Sequence, residues 1–196
     1  MAYMSKKILV IQGNPVAGSY GEALAQSYVK GAKAAGAEVR LLQLSALDFN
    51  LNLLGGYRNK LPLEPDLIQA QESIKWAEHL VFVFPIWWGS LPALMKGFID
   101  RTFMPGFAFK YQKGKPLPDK LLKGRTARLI TTMDGPYWYY RFFQGQPGHR
   151  MMKDSTLHLC GVKPVRSTTI DLMNKRTDQQ RNEWLSKVEQ LGRSMS

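Results

Sequence analysis

The sequence predicts an α/β protein: a doubly wound, five-stranded parallel sheet in the order 2-1-3-4-5, with helices on both faces, in one domain over residues 1–196. Three observations carry this. Short apolar runs alternate with helix-period segments along the whole length, the pattern of strand–helix–strand crossovers. The run 80–84, LVFVF, is apolar on both sides of its period-2 alternation, as a central strand covered on both faces must be. Unusual loops follow the first, third and fourth strands, which this order makes neighbours, and such sheets bind ligands outside the carboxyl ends of their strands.

In order, residues 7–11 read as the first strand, and the loop 12–18 leads into a helix over 19–35 that Gly36 closes as a C-terminal cap. Residues 38–44 form the second strand. The next connection contains Gly55, Gly56, Pro62 and Pro65, is too long for a plain link, and runs to a helix over 66–78. The strand 80–84 is ended by Pro85, which has no amide hydrogen for a ladder, and a helix over 92–103 follows with Pro92 in its first turn. Residues 104–123, rich in Gly, Pro and Lys, are irregular, with a small hairpin around 107–110. A fourth strand over 125–131 and an aromatic stretch over 137–143 precede a helix over 149–159, a fifth strand over 163–170 and a last helix over 177–192.

Composition narrows the function classes. Residues 1–7 do not resemble a signal peptide, and no stretch reaches the roughly 18 apolar residues of a membrane span. One cysteine cannot form an internal disulfide, and three histidines supply no zinc cluster, so a cytoplasmic, metal-free protein is expected. Cys160 reads as a buried packing thiol, His79 and His158 as structural histidines, and Asp100 and Arg101 as surface or interface pairs. A net charge of +12 suits nucleic acid, an anionic membrane surface or phosphorylated small molecules. The 27 Lys and Arg residues are scattered, without a polybasic block or an aromatic RNA-binding signature, which favours the phosphorylated small molecule over both nucleic acid and a membrane surface.

The three loops carry the chemistry. Gly13-Asn14-Pro15-Val16-Ala17-Gly18-Ser19-Tyr20 opens onto a helix N-terminus, where free amides and the helix dipole attract phosphate. Its glycine spacing fits neither a dinucleotide fingerprint nor a Walker A loop. The competing reading is a capping box of Ser19 and Glu22. The second loop, Pro85-Ile86-Trp87-Trp88-Gly89, offers a flat apolar wall, unless the two tryptophans are simply core residues beside a helix. The third, Thr131-Thr132-Met133-Asp134-Gly135, offers hydroxyls and amides at one edge of the same crevice. A phosphate site, an aromatic wall and a polar edge together describe a flavin mononucleotide site.

The segment Pro85-Ile86-Trp87-Trp88-Gly89-Ser90-Leu91-Pro92-Ala93-Leu94-Met95-Lys96-Gly97-Phe98-Ile99-Asp100-Arg101 resembles the P-x-x-W-[FWY]-x-x-P-A-x-[LM]-K-G-[WF]-x-[DE]-R signature of the flavodoxin-like NAD(P)H:quinone oxidoreductases. Phe107-Ala108-Phe109-Lys110-Tyr111 is similar to the family's segment after that helix, and Thr131-Thr132 to the start of its T-T-G-G loop. The resemblance implies the flavodoxin-like fold and a bound flavin, FMN first and FAD second. It also implies ping-pong transfer of two electrons from NAD(P)H to a quinone or related aromatic acceptor, and a homodimer whose active sites lie at the interface. Tyr139 stands where the family has a catalytic tyrosine. Gly145 stands where the family histidine would be, His149 lies four residues beyond, and Asn14 replaces a histidine common in the first loop. The alternative is a non-catalytic flavin-binding electron carrier or an ancillary regulatory subunit.

Overall fold

The computed structural model describes residues 5–56, 59 and 61–195; the reading of residues 1–7 therefore lies partly outside them. Among the described residues seven strands form two sheets. Strands β1 (Lys7–Gln12), β2 (Glu38–Gln43), β3 (His79–Pro85), β6 (Thr126–Thr132) and β7 (Val165–Ile170) make a parallel sheet in the order β2-β1-β3-β6-β7, which is the expected 2-1-3-4-5 order once the small ribbon of β4 (Phe109–Lys110) and β5 (Asp119–Lys120) is set aside.

The two-sided apolar character of β3 has a direct cause. Leu80, Phe82 and Phe84 point to one face, with Leu9 and Ile11 of β1, under helices α2 (Pro65–Trp76) and α3 (Ala93–Thr102). Val81 and Val83 point to the other, with Ile8 and Val10, under α1 (Tyr20–Ala34) and α6 (Asp178–Arg193). All seven residues of β3 are buried. Strand β2 lies at the edge and alternates in exposure instead.

Helices α1 and α6 approach closely because both carry glycine at the crossing. A Cβ on Gly31 would lie 1.9 Å from the Glu189 carbonyl oxygen, and one on Gly192 would lie 2.2 Å from that of Tyr28. At the C-terminus of α1, Gly36 has φ +85° and the Ala37 amide bonds back to the Ala32 carbonyl at 3.0 Å, the cap the sequence predicts.

Several boundaries differ from expectation, each for a local reason. Pro85 does not end β3 before itself; it is the last strand residue, opposite Thr132, and the next ladder bond is donated by Ile86 to Thr132 at 2.7 Å. The hairpin strand at Phe109–Lys110 finds its partner only at Asp119–Lys120. The stretch 137–143 winds into a short helix, α4 (Tyr137–Phe142), and the next helix starts at α5 (Pro147–Arg150) and continues as a π-helical segment, Met151–His158. Arg101 is not a surface partner. It is buried beneath the long connection after β2, donating to the Asn50 carbonyl at 2.7 Å and the Glu64 carboxylate at 2.6 Å, while Asp100 pairs with Lys96 on the surface.

Candidate functional site

The second and third loops meet at the carboxyl ends of β3 and β6, where they enclose a cleft of about 390 Å3. Its walls are Ile86, Trp87, Trp88 and Gly89 on one side, with Met133, Asp134 and Gly135 opposite and Tyr139 closing one end. Pro136, Tyr140 and Gln144 complete it.

The second loop is a two-residue hairpin: Trp87 and Ser90 exchange backbone hydrogen bonds at 3.0 and 2.8 Å around Trp88 and Gly89, which have φ +50° and +71°. Both central residues of such a turn must be left-handed, which suits Gly89 and strains Trp88. The strained residue carries a fully exposed indole, 104% accessible, so no packing within the chain compensates it. The Ser90 and Ile86 amides are committed to backbone partners, whereas those of Trp88, Gly89, Asp134 and Gly135 have none among the described residues. Four open donors thus border an aromatic surface.

A buried network fastens the two walls. The Tyr140 hydroxyl lies 3.2 Å from His149 Nδ1 and 3.5 Å from the Gly89 carbonyl, and it accepts the His149 amide at 3.3 Å. On its other side His149 Nε2 lies 3.2 Å from the hydroxyls of both Thr131 and Thr169. Burial holds the His149 imidazole well below an ordinary histidine, at about 4, and raises the Tyr140 phenol. Both rings are therefore neutral near pH 7, and the histidine acts here as a hydrogen-bonded post between β6, β7 and the Gly89 turn.

The expected residues divide accordingly. Ile86, Trp87, Trp88, Gly89, Met133, Asp134, Gly135 and Tyr139 do share one cleft. Thr131 does not offer its hydroxyl there; it is fully buried and bonded to Thr169 and His149. Pro85 and Thr132 support the walls as paired strand ends. In the first loop Asn14 accepts from the Val16 amide at 3.0 Å, and Ser19 caps α1. Glu22 reaches past the cap to the Gly18 amide at 2.9 Å and binds Gln43, so the loop is braced by a carboxylate, and the first-turn amides of Tyr20 and Gly21 have no partner among the described residues. The Tyr20 hydroxyl turns away, to the Arg181 carbonyl. The loop still borders β3, through the Gly13 amide on the Val83 carbonyl at 2.8 Å.

Sequence reasoning passed over Tyr140 and His149. A periodic signal existed for the first: Tyr137 and Tyr140 are one helical turn apart, and the inward one is 3% exposed. The remaining expectations are met differently. Cys160 is buried, with its thiol pushed up to about 12 by desolvation. His79 is buried against Thr126, and its imidazole is lowered to about 3 by that burial and by the cations Lys6, Arg128 and Arg166. His158 does have a carboxylate neighbour, Asp154 at 3.4 Å, which its one-turn spacing allows. Among the described residues there is no cluster of metal-ligating groups and no helix long and apolar enough to cross a membrane. A larger cavity of about 580 Å3 lies between α3, the ribbon and the π-helical segment, away from the strand ends. The smaller cleft is the better site because it joins open amides to aromatic faces.

Comparison with known proteins agrees with this geometry. The chain is 35% identical over 112 residues to ribosyldihydronicotinamide dehydrogenase [quinone] of Mus musculus, covering 53% of this chain and 46% of that protein, so it spans about half the length of the curated relative. Smu.1420 from Streptococcus mutans UA159 superposes with a TM-score of 0.81 at 29% identity, over 95% of this chain and 98% of its own. An FMN-dependent NADH-azoreductase from Bacillus anthracis, solved with FMN, shares the fold with a TM-score of 0.74 at 18% identity over 98% and 99% of the two chains. The model of the Flavodoxin_2 family, described as having a flavodoxin-like fold, matches residues 6–191, and the chain belongs to that family.

Proposed function

We propose that the chain is a flavin-dependent oxidoreductase that takes two electrons from NAD(P)H and passes them to a quinone or related aromatic acceptor. The observation that carries this is the cleft: an aromatic turn and four unpartnered amides at the carboxyl ends of the central strands. Its volume lies within the usual range for small-molecule sites. FMN is the fitting flavin, with FAD second. Trp87 and Trp88 would flank the ring, and the Trp88, Gly89, Asp134 and Gly135 amides would hydrogen-bond its polar edge. Asn14, Ser19 and the first turn of α1 would receive the phosphate. When bound, the flavin supplies the redox chemistry.

The chain's own residues then have distinct tasks. The open amides would stabilise negative charge on a bound ring without reorganising, because the backbone already holds them in place. Tyr139, half-exposed at the cleft's end, has a hydroxyl with no partner among the described residues and is free to donate to a ligand. Tyr140 and His149 fix the Gly89 turn. Trp88, Phe142 and Phe143 remain strongly exposed beside the cleft, which supports a homodimer in which a second copy covers them.

Visible spectroscopy tests the proposal. The purified protein should be yellow or take up FMN, lose that absorbance on anaerobic mixing with NADPH or NADH, and regain it on adding a quinone. A protein that binds neither FMN nor FAD sinks the reading; a bound flavin indifferent to both nicotinamides assigns the chain to electron carriage instead.

A further inference from the structure

One segment of the chain is locally dense in charge, and folding brings Lys163 to it. Residues 110–123 hold five lysines and one acidic residue, Asp119. The lysines are not on a loose tail. Strands β4 and β5 pair Lys110 with Asp119 and Phe109 with Lys120, the Leu121 amide bonds to Ala108, and the Leu122 amide bonds to Cys160 at 2.9 Å, with the Leu122 side chain buried. The ribbon is therefore anchored, Lys120 adding a bond to the His158 carbonyl at 2.9 Å, and its other four lysines are exposed. Asp119 is occupied locally by Gln112 and by Lys115 at 3.3 Å. Beyond β5, Lys123 and Lys163 border an open groove of about 600 Å3 with Lys120, floored by Gly124 and Gly161.

Beside these cations two leucines stand in water: Leu117 is 69% and Leu121 is 42% exposed. Lysines alone would suit any polyanion. Exposed leucines interleaved with lysines suit the boundary between headgroups and acyl chains, where apolar side chains insert while ammonium groups stay with anionic headgroups. A nucleic-acid surface would favour several aromatic rings or guanidinium planes for stacking; the groove is lined by Pro118, Asp119, glycines and lysines, and the ribbon exposes one ring, Tyr111, whose apolar body and polar tip also suit the headgroup boundary. The overall charge of +12 has the sign that anionic lipid attracts.

We propose that the ribbon over residues 109–123 is a docking surface for anionic phospholipid bilayers. Its use follows from the proposed activity, on which this clause alone rests: a lipophilic quinone is dissolved in the bilayer, so docking brings the reductase to its acceptor. The docking itself needs no turnover.

Co-sedimentation of the full-length protein with vesicles tests it. Mixed phosphatidylglycerol/phosphatidylcholine vesicles should retain the protein about tenfold or more better than pure phosphatidylcholine, since each lysine near an anionic surface contributes appreciably. Salt at about 0.5 M should release it as the screening length shrinks. The combined variant Lys113→Glu, Lys115→Glu, Lys123→Glu should lose about tenfold or more of the binding with an unchanged circular dichroism spectrum. Leu117→Ser should lose about threefold. Equal retention by both vesicle types, salt-resistant binding, or a charge variant that binds like the parent overturns the proposal. So does tighter retention of a duplex oligonucleotide than of vesicles, or a charge variant whose elution volume shifts to a smaller oligomer. Failure of quinone reduction with vesicle binding intact would count against the proposed activity and leave the docking surface standing.

Discussion

Trp88 shows how function and stability diverge at one residue. Its backbone is left-handed at φ +50°, and its indole is fully exposed, so the residue costs conformational energy and recovers none by packing. Trp88→Gly is expected to stabilise the free protein by about 1 kcal/mol while weakening flavin binding, measured by urea denaturation and by flavin titration. A variant that lost stability would show that the indole packs against something in solution. Tyr140 is the opposite case, buried with its hydroxyl shared between Gly89 and His149. Tyr140→Phe leaves His149 polar atoms without that partner inside the protein and should cost about 1–2 kcal/mol. Its flavin affinity should fall only slightly, because the Gly89 carbonyl loses the 3.5 Å contact to the phenol but keeps the Gly148 amide at 2.9 Å, whereas Tyr139→Phe should leave the melting temperature unchanged.

At the scale of elements, the α1–α6 pair has little tolerance. Gly31→Ala places a methyl within bonding distance of the Glu189 carbonyl, and that oxygen belongs to helix backbone that cannot rotate away. The helices must separate, at a cost of about 2–3 kcal/mol, which a lowered denaturation midpoint with an unaltered m-value would report. The elements differ in how legible they were. Strands β1 and β3 and the presence of a loop after β3 could be read directly, because apolar period, proline and glycine act on the chain within a few residues. Strand β5 could not, since Asp119–Lys120 has no apolar pattern and exists only through pairing with Phe109–Lys110. The Tyr140–His149 contact was likewise hidden: it depends on left-handed backbone at Gly145 and Gln146, φ +71° and +54°, and on a helix that starts at Pro147, before the histidine. Spacing against a family pattern placed Gly145 where the histidine was sought, while His149, four residues beyond, is buried against Tyr140. Arg101 was misplaced because its partners, Asn50 and Glu64, lie outside any helix or strand, on the connection between β2 and α2.

For the whole molecule, the two buried histidines make stability depend on pH in one direction. His149 titrates at about 4, mainly through desolvation, and His79 at about 3, through desolvation and then the nearby Lys6, Arg128 and Arg166. In the unfolded chain both titrate near 6.5. A folded pKa below the unfolded one means that, as pH falls below about 6.5, the unfolded state takes up protons that the native state refuses; stability is therefore constant above that pH and declines below it, for His149 until about 4 and for His79 until about 3. At pH 5 each histidine costs roughly 2 kcal/mol relative to pH 7.5. Together that is a large share of the roughly 5–15 kcal/mol that holds a domain folded, and it should lower the melting temperature by about 10 °C. Neither residue ionises in the native state over this window, so flavin retention in the surviving folded fraction should not change with it. The separation of the two sites gives the control. His149→Asn sits beside the cleft and His79→Asn at the opposite end of β3, yet each should remove about half of the pH-dependent loss between pH 7.5 and 5. Thermal melts of the parent and both variants at the two pH values decide it: shallower dependence in each supports burial of neutral imidazoles, and parallel curves would assign the acid sensitivity to other groups.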